Sequence, residues 1–163
     1  MNLSIALERH DAPGVAALIA DLDAYQRTLY PAESCYLLDL SSVPEPQLRF
    51  AVARNAVDEA VACGALVIYP GYGELKRMFV RTDQRGLGLA KQLLHLLEAE
   101  ARREQLPLLR LETGPLQHEA LGLYERLGYQ RRGPFGDYRE DPFSVFMEKA
   151  LAVPDQPPGR ARP

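Results

Sequence analysis

A single domain of mixed α/β (α+β) class, with a mostly antiparallel sheet flanked by helices, is what three observations predict. The chain has 163 residues, close to one domain of about 150 and long enough to bury roughly 70% of its unfolded surface. Residues 48–80 hold three consecutive strand-like segments separated by short turns, the pattern of an antiparallel meander. Residues 74–112 then run strand, glycine-rich turn, helix, strand, which adds a helix-linked strand to the sheet. The domain is expected over residues 1–151, with a flexible Pro-rich tail at 152–163 where bulky apolar groups are sparse.

Taken in order, residues 3–7 alternate weakly and read as a first strand. Asp11 is a cap candidate and Pro13 is tolerated in a first helical turn. Val15, Leu18, Ile19, Leu22, Tyr25 and Leu29 then recur at steps of three and four, an amphipathic helix ending before Pro31. Residues 35–40 stay open between short helix and loop, while Pro44 and Pro46 enforce a loop. Residues 48–54 alternate with period two, 55–58 read as a turn, and 59–69 as a strand with Gly64 at a bulge or close approach. A turn at 70–73 leads into a strand at 74–80. A helix from about 86 to 104 presents Leu87, Ala90, Leu94, Leu97 and Ala101 on one face, and 108–112 is a short buried strand. Residues 118–127 form a helix that stops at Gly128, and strands at 129–132 and 144–148 flank a long loop.

Composition excludes several functions. Lys and Arg number 19 against 22 Asp and Glu, a net charge of −3, without the basic excess that phosphate-backbone contacts need, so no nucleic-acid partner is expected. Cys35 and Cys63 make no Cys-x-x-Cys pair, and His10, His95 and His118 are scattered, so reduced thiols and no metal are expected. The first residues lack a basic start followed by a long apolar run, and no apolar stretch approaches the ~20 residues of a bilayer span. A cytoplasmic protein with no membrane contact is expected, and the possibility of a homodimer stays open.

The most informative segment is 81–91, Arg-Thr-Asp-Gln-Arg-Gly-Leu-Gly-Leu-Ala-Lys, which follows a strand and opens a helix. Glycines let a ligand approach the backbone, and the unpaired amides of a first helical turn form an anion site. Gly86 and Gly88 each cost about 1 kcal/mol of helix propensity relative to Ala, a cost that a mere connection has no reason to carry twice. A P-loop would need Lys followed by Ser or Thr at the helix start, and a dinucleotide fingerprint would need Gly or Ala where Lys91 stands. Both readings fail on residues.

Arg85-Gly-Leu-Gly-Leu-Ala90 resembles the Arg-x-x-Gly-x-Ala pyrophosphate loop of the GNAT superfamily of acetyl-CoA-dependent N-acetyltransferases. Its flanks match in order and spacing. Residues 74–80 resemble the strand before that loop, and 117–129 resemble a later helix, Asn-x-x-Ala-x-x-x-Tyr followed by Gly-Tyr, with Gln117 where the family carries Asn. The resemblance implies a sheet whose fourth and fifth strands splay apart, with the pantetheine arm of acetyl-CoA in the gap. It places that arm against the backbone of Met78, Phe79 and Val80, and the pyrophosphate on the amides of Arg85, Gly86, Leu87, Gly88, Leu89 and Ala90, with Gln117 beside the arm.

Acetyl transfer to an amine requires a neutral nitrogen, and alkyl amines carry a proton up to pH near ~10. Glu74, at the start of the strand leading to the splay, is the candidate base, directly or through water. A backbone amide within 78–80 is the candidate oxyanion donor. Tyr124, in its place in the Ala-x-x-x-Tyr pattern, is the candidate acid for the departing thiolate. No Cys or Ser sits in a nucleophile context, which favours direct transfer in a ternary complex. Residues 112–115 and 135–141 are expected to line the pocket for a small-molecule or peptide amine. The rival readings are a CoA-binding or sensing module without turnover and an interaction protein that shares the fold.

Overall fold

The computed structural model describes residues 3–151; the tail expected at 152–163 lies outside the described residues. Seven strands form one sheet: β1 (Ser4–Leu7), β2 (Leu48–Arg54), β3 (Ala60–Tyr69), β4 (Tyr72–Val80), β5 (Leu108–Thr113), β6 (Gln130–Arg132) and β7 (Val145–Ala150). Their order is β1-β2-β3-β4-β5-β7-β6, and every neighbouring pair is antiparallel except β4 and β5. Helix α1 (Val15–Leu29) covers one face; α2 (Leu89–Arg103) and α3 (His118–Arg126) cover the other.

The period-two pattern of β2 divides the core. Phe50 and Val52 pack with Val15, Leu18 and Leu22 of α1, while Ala51 and Ala53 pack with Leu93, Leu94 and Leu97 of α2. Alternate residues of a strand reach opposite faces, so one apolar segment feeds two cores.

Three local expectations shift. Asp11 does not cap α1: its carboxylate takes Arg9 at 2.9 Å, and Gly14 is the cap residue with no side-chain hydrogen bond. Residues 35–39 are not helical, because the short 3-10 turns Ala32–Ser34 and Leu40–Ser42 bracket them. Helix α2 starts at Leu89, since Gly88 is left-handed at φ 77°, which leaves Leu87 outside the helix and 40% exposed.

Two features open the sheet where the site lies. Pairing of β4 with β5 is confined to Gly73–Leu75 against Leu109–Leu111, although both strands continue. In the β3–β4 ladder, Cys63 faces Phe79 and Ala65 faces Lys76, so Gly64 alone opposes both Arg77 and Met78. This is a bulge, with Arg77 at φ 58°, and bulges bend the strand that carries them. Gly64 is required opposite it: a Cβ there would lie 2.2 Å from the Met78 sulfur.

Candidate active site

The splay between β4 and β5 opens into a cavity of about 780 Å³ that runs from the start of α2 to the loop after β6. Its two ends are built differently.

At the α2 end, Gly86 and Gly88 lie at φ 84° and 77°, conformations that cost an L side chain roughly 1–2 kcal/mol. A Cβ on either would meet nothing within 4 Å. Packing therefore does not demand glycine here; the backbone turn does. The first intrahelical bond is Gln92 N to Gly88 O, so the preceding amides of the turn remain available to an anion. Arg85 braces the turn, donating from Nε to the Val80 carbonyl at 3.2 Å with its guanidinium 4.8 Å from the Tyr25 ring centre. Met78, Phe79, Val80, Arg85, Gly86, Gly88, Leu89, Ala90 and Gln117 all line the cavity. Leu87 is the exception among the expected cofactor residues. Beyond Leu75, β4 has no strand partner on its β5 side.

Gln117 stands at the start of α3, but its side chain turns back from the helix. Its Oε1 accepts from the Gly114 amide at 3.2 Å, with Thr113 and Tyr30 hydroxyls at 3.4 Å, which shapes the turn after β5. Tyr124 is buried yet lines the cavity, and its hydroxyl makes no hydrogen bond among the described residues. Burial, with the nearby Glu112 charge, pushes its ionisation well above the ordinary tyrosine value, so it stays a proton-bearing phenol.

The other end is made of side chains from distant segments. Glu74 is 5% exposed and does not line the cavity. Its carboxylate accepts from the Tyr138 hydroxyl at 2.6 Å, and Lys76 stands 3.6 Å away. Lys76, which does line the cavity, donates to the same Tyr138 oxygen at 2.6 Å. Across the wedge Glu112 lines the cavity and accepts from Ser144 at 2.9 Å. Burial pushes its carboxyl up to about 7; the Ser144 hydrogen bond and Lys76 oppose that rise. Asp141 fastens the loop after β6, its carboxylate accepting from Ser34 at 2.8 Å, Tyr36 at 3.0 Å and the Phe143 amide at 2.8 Å.

Sequence reasoning placed Glu112 and Tyr138 only among pocket-lining residues and passed over Lys76 and Tyr36; none of 135–141 lines the cavity, where Phe143 of the same loop stands instead. The signal for Lys76 was present: two residues beyond Glu74 on one strand, it shares that residue's face. For Tyr36 and Tyr138 no local signal existed, since their partners lie far away in sequence. Both cysteines are poor nucleophiles: burial raises Cys35 and takes Cys63 up to about 12. No group of three or more His, Cys, Asp or Glu able to hold a metal occurs among the described residues, and no helix among them is long and apolar enough to cross a membrane.

A parallel strand pair that parts over a glycine-turned helix start, with a buried phenol and a carboxylate in the gap, is the framework of an acyltransferase. Residues 15–129 match the family model described as the acetyltransferase (GNAT) family, and the chain belongs to that family. It is 47% identical over 152 residues, 92% of this chain and 99% of the other, to the IAA acetyltransferase of Azospirillum brasilense. The crystal structure of the putative acyl-CoA N-acyltransferase from Klebsiella pneumoniae superposes with a TM-score of 0.82 at 43% identity, covering 92% of this chain and 98% of that one. PaiA N-acetyltransferase from Thermoplasma acidophilum in complex with coenzyme A shares the fold, with a TM-score of 0.69 at 17% identity over 93% and 100% of the two chains.

Proposed function

We propose that this enzyme transfers an acetyl group from acetyl-CoA to a primary amine of a small molecule or peptide, by direct attack in a ternary complex. The observation that carries the reading is Glu112, a carboxylate on the wall of the β4–β5 cavity with its ionisation raised to about 7. A base of that strength takes protons near neutral pH better than an ordinary carboxylate. Glu112, rather than Glu74, is therefore assigned as base, and Glu74 is assigned to holding Lys76 and Tyr138.

The donor's diphosphate rests on the amides from Arg85 to Ala90, and its arm follows the unpaired edge of Met78 to Val80, with Gln117 beside it. Glu112 removes one proton from the arriving ammonium. The freed nitrogen attacks the thioester carbon, and an amide from 78–80 steadies the oxyanion. The carbon–sulfur bond then breaks, and Tyr124 gives its proton to the thiolate. The second proton of the attacking nitrogen restores the phenol through solvent in the cavity, so the products are the amide, free CoA and one released proton. The inert cysteines support direct transfer over an acyl-enzyme.

The experiment is release of free CoA from acetyl-CoA across a panel of amines, followed against pH. Turnover is expected to rise through about pH 7 as Glu112 ionises, and Glu112→Gln is expected to remove that inflection. An unchanged inflection in the variant returns the role of base to another group.

A further inference from the structure

The end of the cavity away from α2 holds two opposite charges side by side. Lys76 and Glu112 are the next residues along β4 and β5 after the last paired positions, Leu75 and Leu111. Both point away from the α2 core that Leu75 and Leu111 enter, and both line the cavity. Lys76 is fixed rather than waving in solvent: its side chain is 13% exposed and its ammonium is held by Tyr138 at 2.6 Å, with Glu74 at 3.6 Å. One of its three N–H donors is taken by Tyr138, and Glu74 stands beyond hydrogen-bond distance, so donors remain for an anion in the cavity.

The neighbouring charges do not compete for that anion. Arg77 also lines the cavity, but its guanidinium is engaged by Asp23 and by the Leu38 carbonyl at 2.9 Å. Asp141 is occupied by Ser34, Tyr36 and the Phe143 amide. Around the pair the walls are apolar and aromatic: Tyr30 packs edge-on to Phe143 with ring centres 6.1 Å apart, and Tyr36 and Leu37 stand beside them.

We propose that the acceptor is a free α-amino acid with an apolar side chain, its amine at Glu112, its carboxylate at Lys76 and its side chain among Tyr30, Tyr36, Leu37 and Phe143. An α-amino acid carries the two charges on one carbon, a spacing that suits two groups on neighbouring strands about 5 Å apart where they part. A site for amines alone gains nothing from a fixed ammonium beside its base, because that cation repels an ammonium substrate. This inference rests on reading the cavity as the site of amine acetylation and names the substrate class of that site.

The test compares L-leucine, L-leucinamide and 3-methylbutylamine as acceptors for the whole protein at saturating acetyl-CoA, with free CoA as readout. Leucine is expected to exceed the two analogues in kcat/KM by roughly tenfold or more, as loss of a charge-assisted hydrogen bond implies. The order is diagnostic, because the amide's less basic nitrogen is more often neutral and would otherwise react faster. Lys76→Met is expected to collapse the leucine-to-amine ratio towards one, and Lys76→Arg to keep most of it. If Lys76→Met does not fold, the three-substrate comparison on the unaltered protein decides. Analogues that match or beat leucine overturn the amino-acid inference while leaving amine acetylation in place. Binding of acetyl-CoA with no turnover on any amine or amino acid overturns the amine reading and this inference together.

Discussion

The two ends of the cavity are built on opposite principles. The α2 end is backbone: two left-handed glycines, the free amides of a helix start and an unpaired strand edge. The far end is side chains drawn from afar: Glu74 with Tyr138, 64 positions on, and Ser34 with Asp141, 107 positions on. On the proposed reading the backbone cradle takes the donor's unvarying diphosphate, and it relies on few side chains beyond Arg85, which braces the turn. A side-chain box fits an acceptor that differs between enzymes, and changes when any one loop changes.

Substitutions that strike one end only are the sharpest way to break this division. The largest effect is expected from Glu112→Gln, a fall in kcat of about 10²–10⁴-fold with acetyl-CoA affinity unchanged by calorimetry. The same variant tests the burial of that carboxylate. Its folded value, about 7, lies above the ordinary 4.5, so the folded state holds the proton more tightly than the unfolded chain. Stability is then fully present below about pH 4.5 and lost as pH rises through 7, at a cost of about 3 kcal/mol. Glu112→Gln is expected to melt several degrees higher than the unaltered protein at pH 8.5 and at the same temperature near pH 4.5. Lower melting at pH 8.5 would show that the ionised carboxylate stabilises the fold.

On the other side, Gly88→Ala places a methyl in the open space over the turn and strains a left-handed residue. Acetyl-CoA affinity is expected to fall by roughly tenfold or more, with acceptor KM measured at saturating donor unmoved. Tyr124→Phe sits between the ends; turnover is expected to fall by about tenfold to a hundredfold while acetyl-CoA binding holds, and equal turnover makes Tyr124 a packing residue alone. The smallest effect is expected from Asp141→Ala, which frees the loop after β6: acceptor KM rises about two- to fivefold and the donor's does not. A shift in donor affinity would show that the ends are coupled.

The same division explains how much was legible beforehand. The meander, the close approach at Gly64 and the glycine turn were readable because each is local, written in period two, period 3.6 or a residue without a Cβ. The splay was implied by a family resemblance, and only the register, which stops pairing at Leu75 and Leu111, shows where it begins. Glu74 looked like the base because it precedes the splay. Its carboxylate instead turns to Tyr138 and Lys76, a contact that depends on how the loop after β6 folds back. Asp11 looked like a cap by residue type, yet Arg9 two positions earlier takes its carboxylate and leaves Gly14 to start α1. In both cases a side chain with two possible partners was resolved by tertiary context.

A crystal structure of the acetyl-CoA complex tests the central claim most directly. The diphosphate is expected on the amides between Arg85 and Ala90, with the thioester in the β4–β5 gap, its sulfur near the Tyr124 hydroxyl and its carbonyl carbon within one water of Glu112. A diphosphate seated away from that turn, or a thioester pointing out of the gap with Glu112 remote from it, would contradict the account.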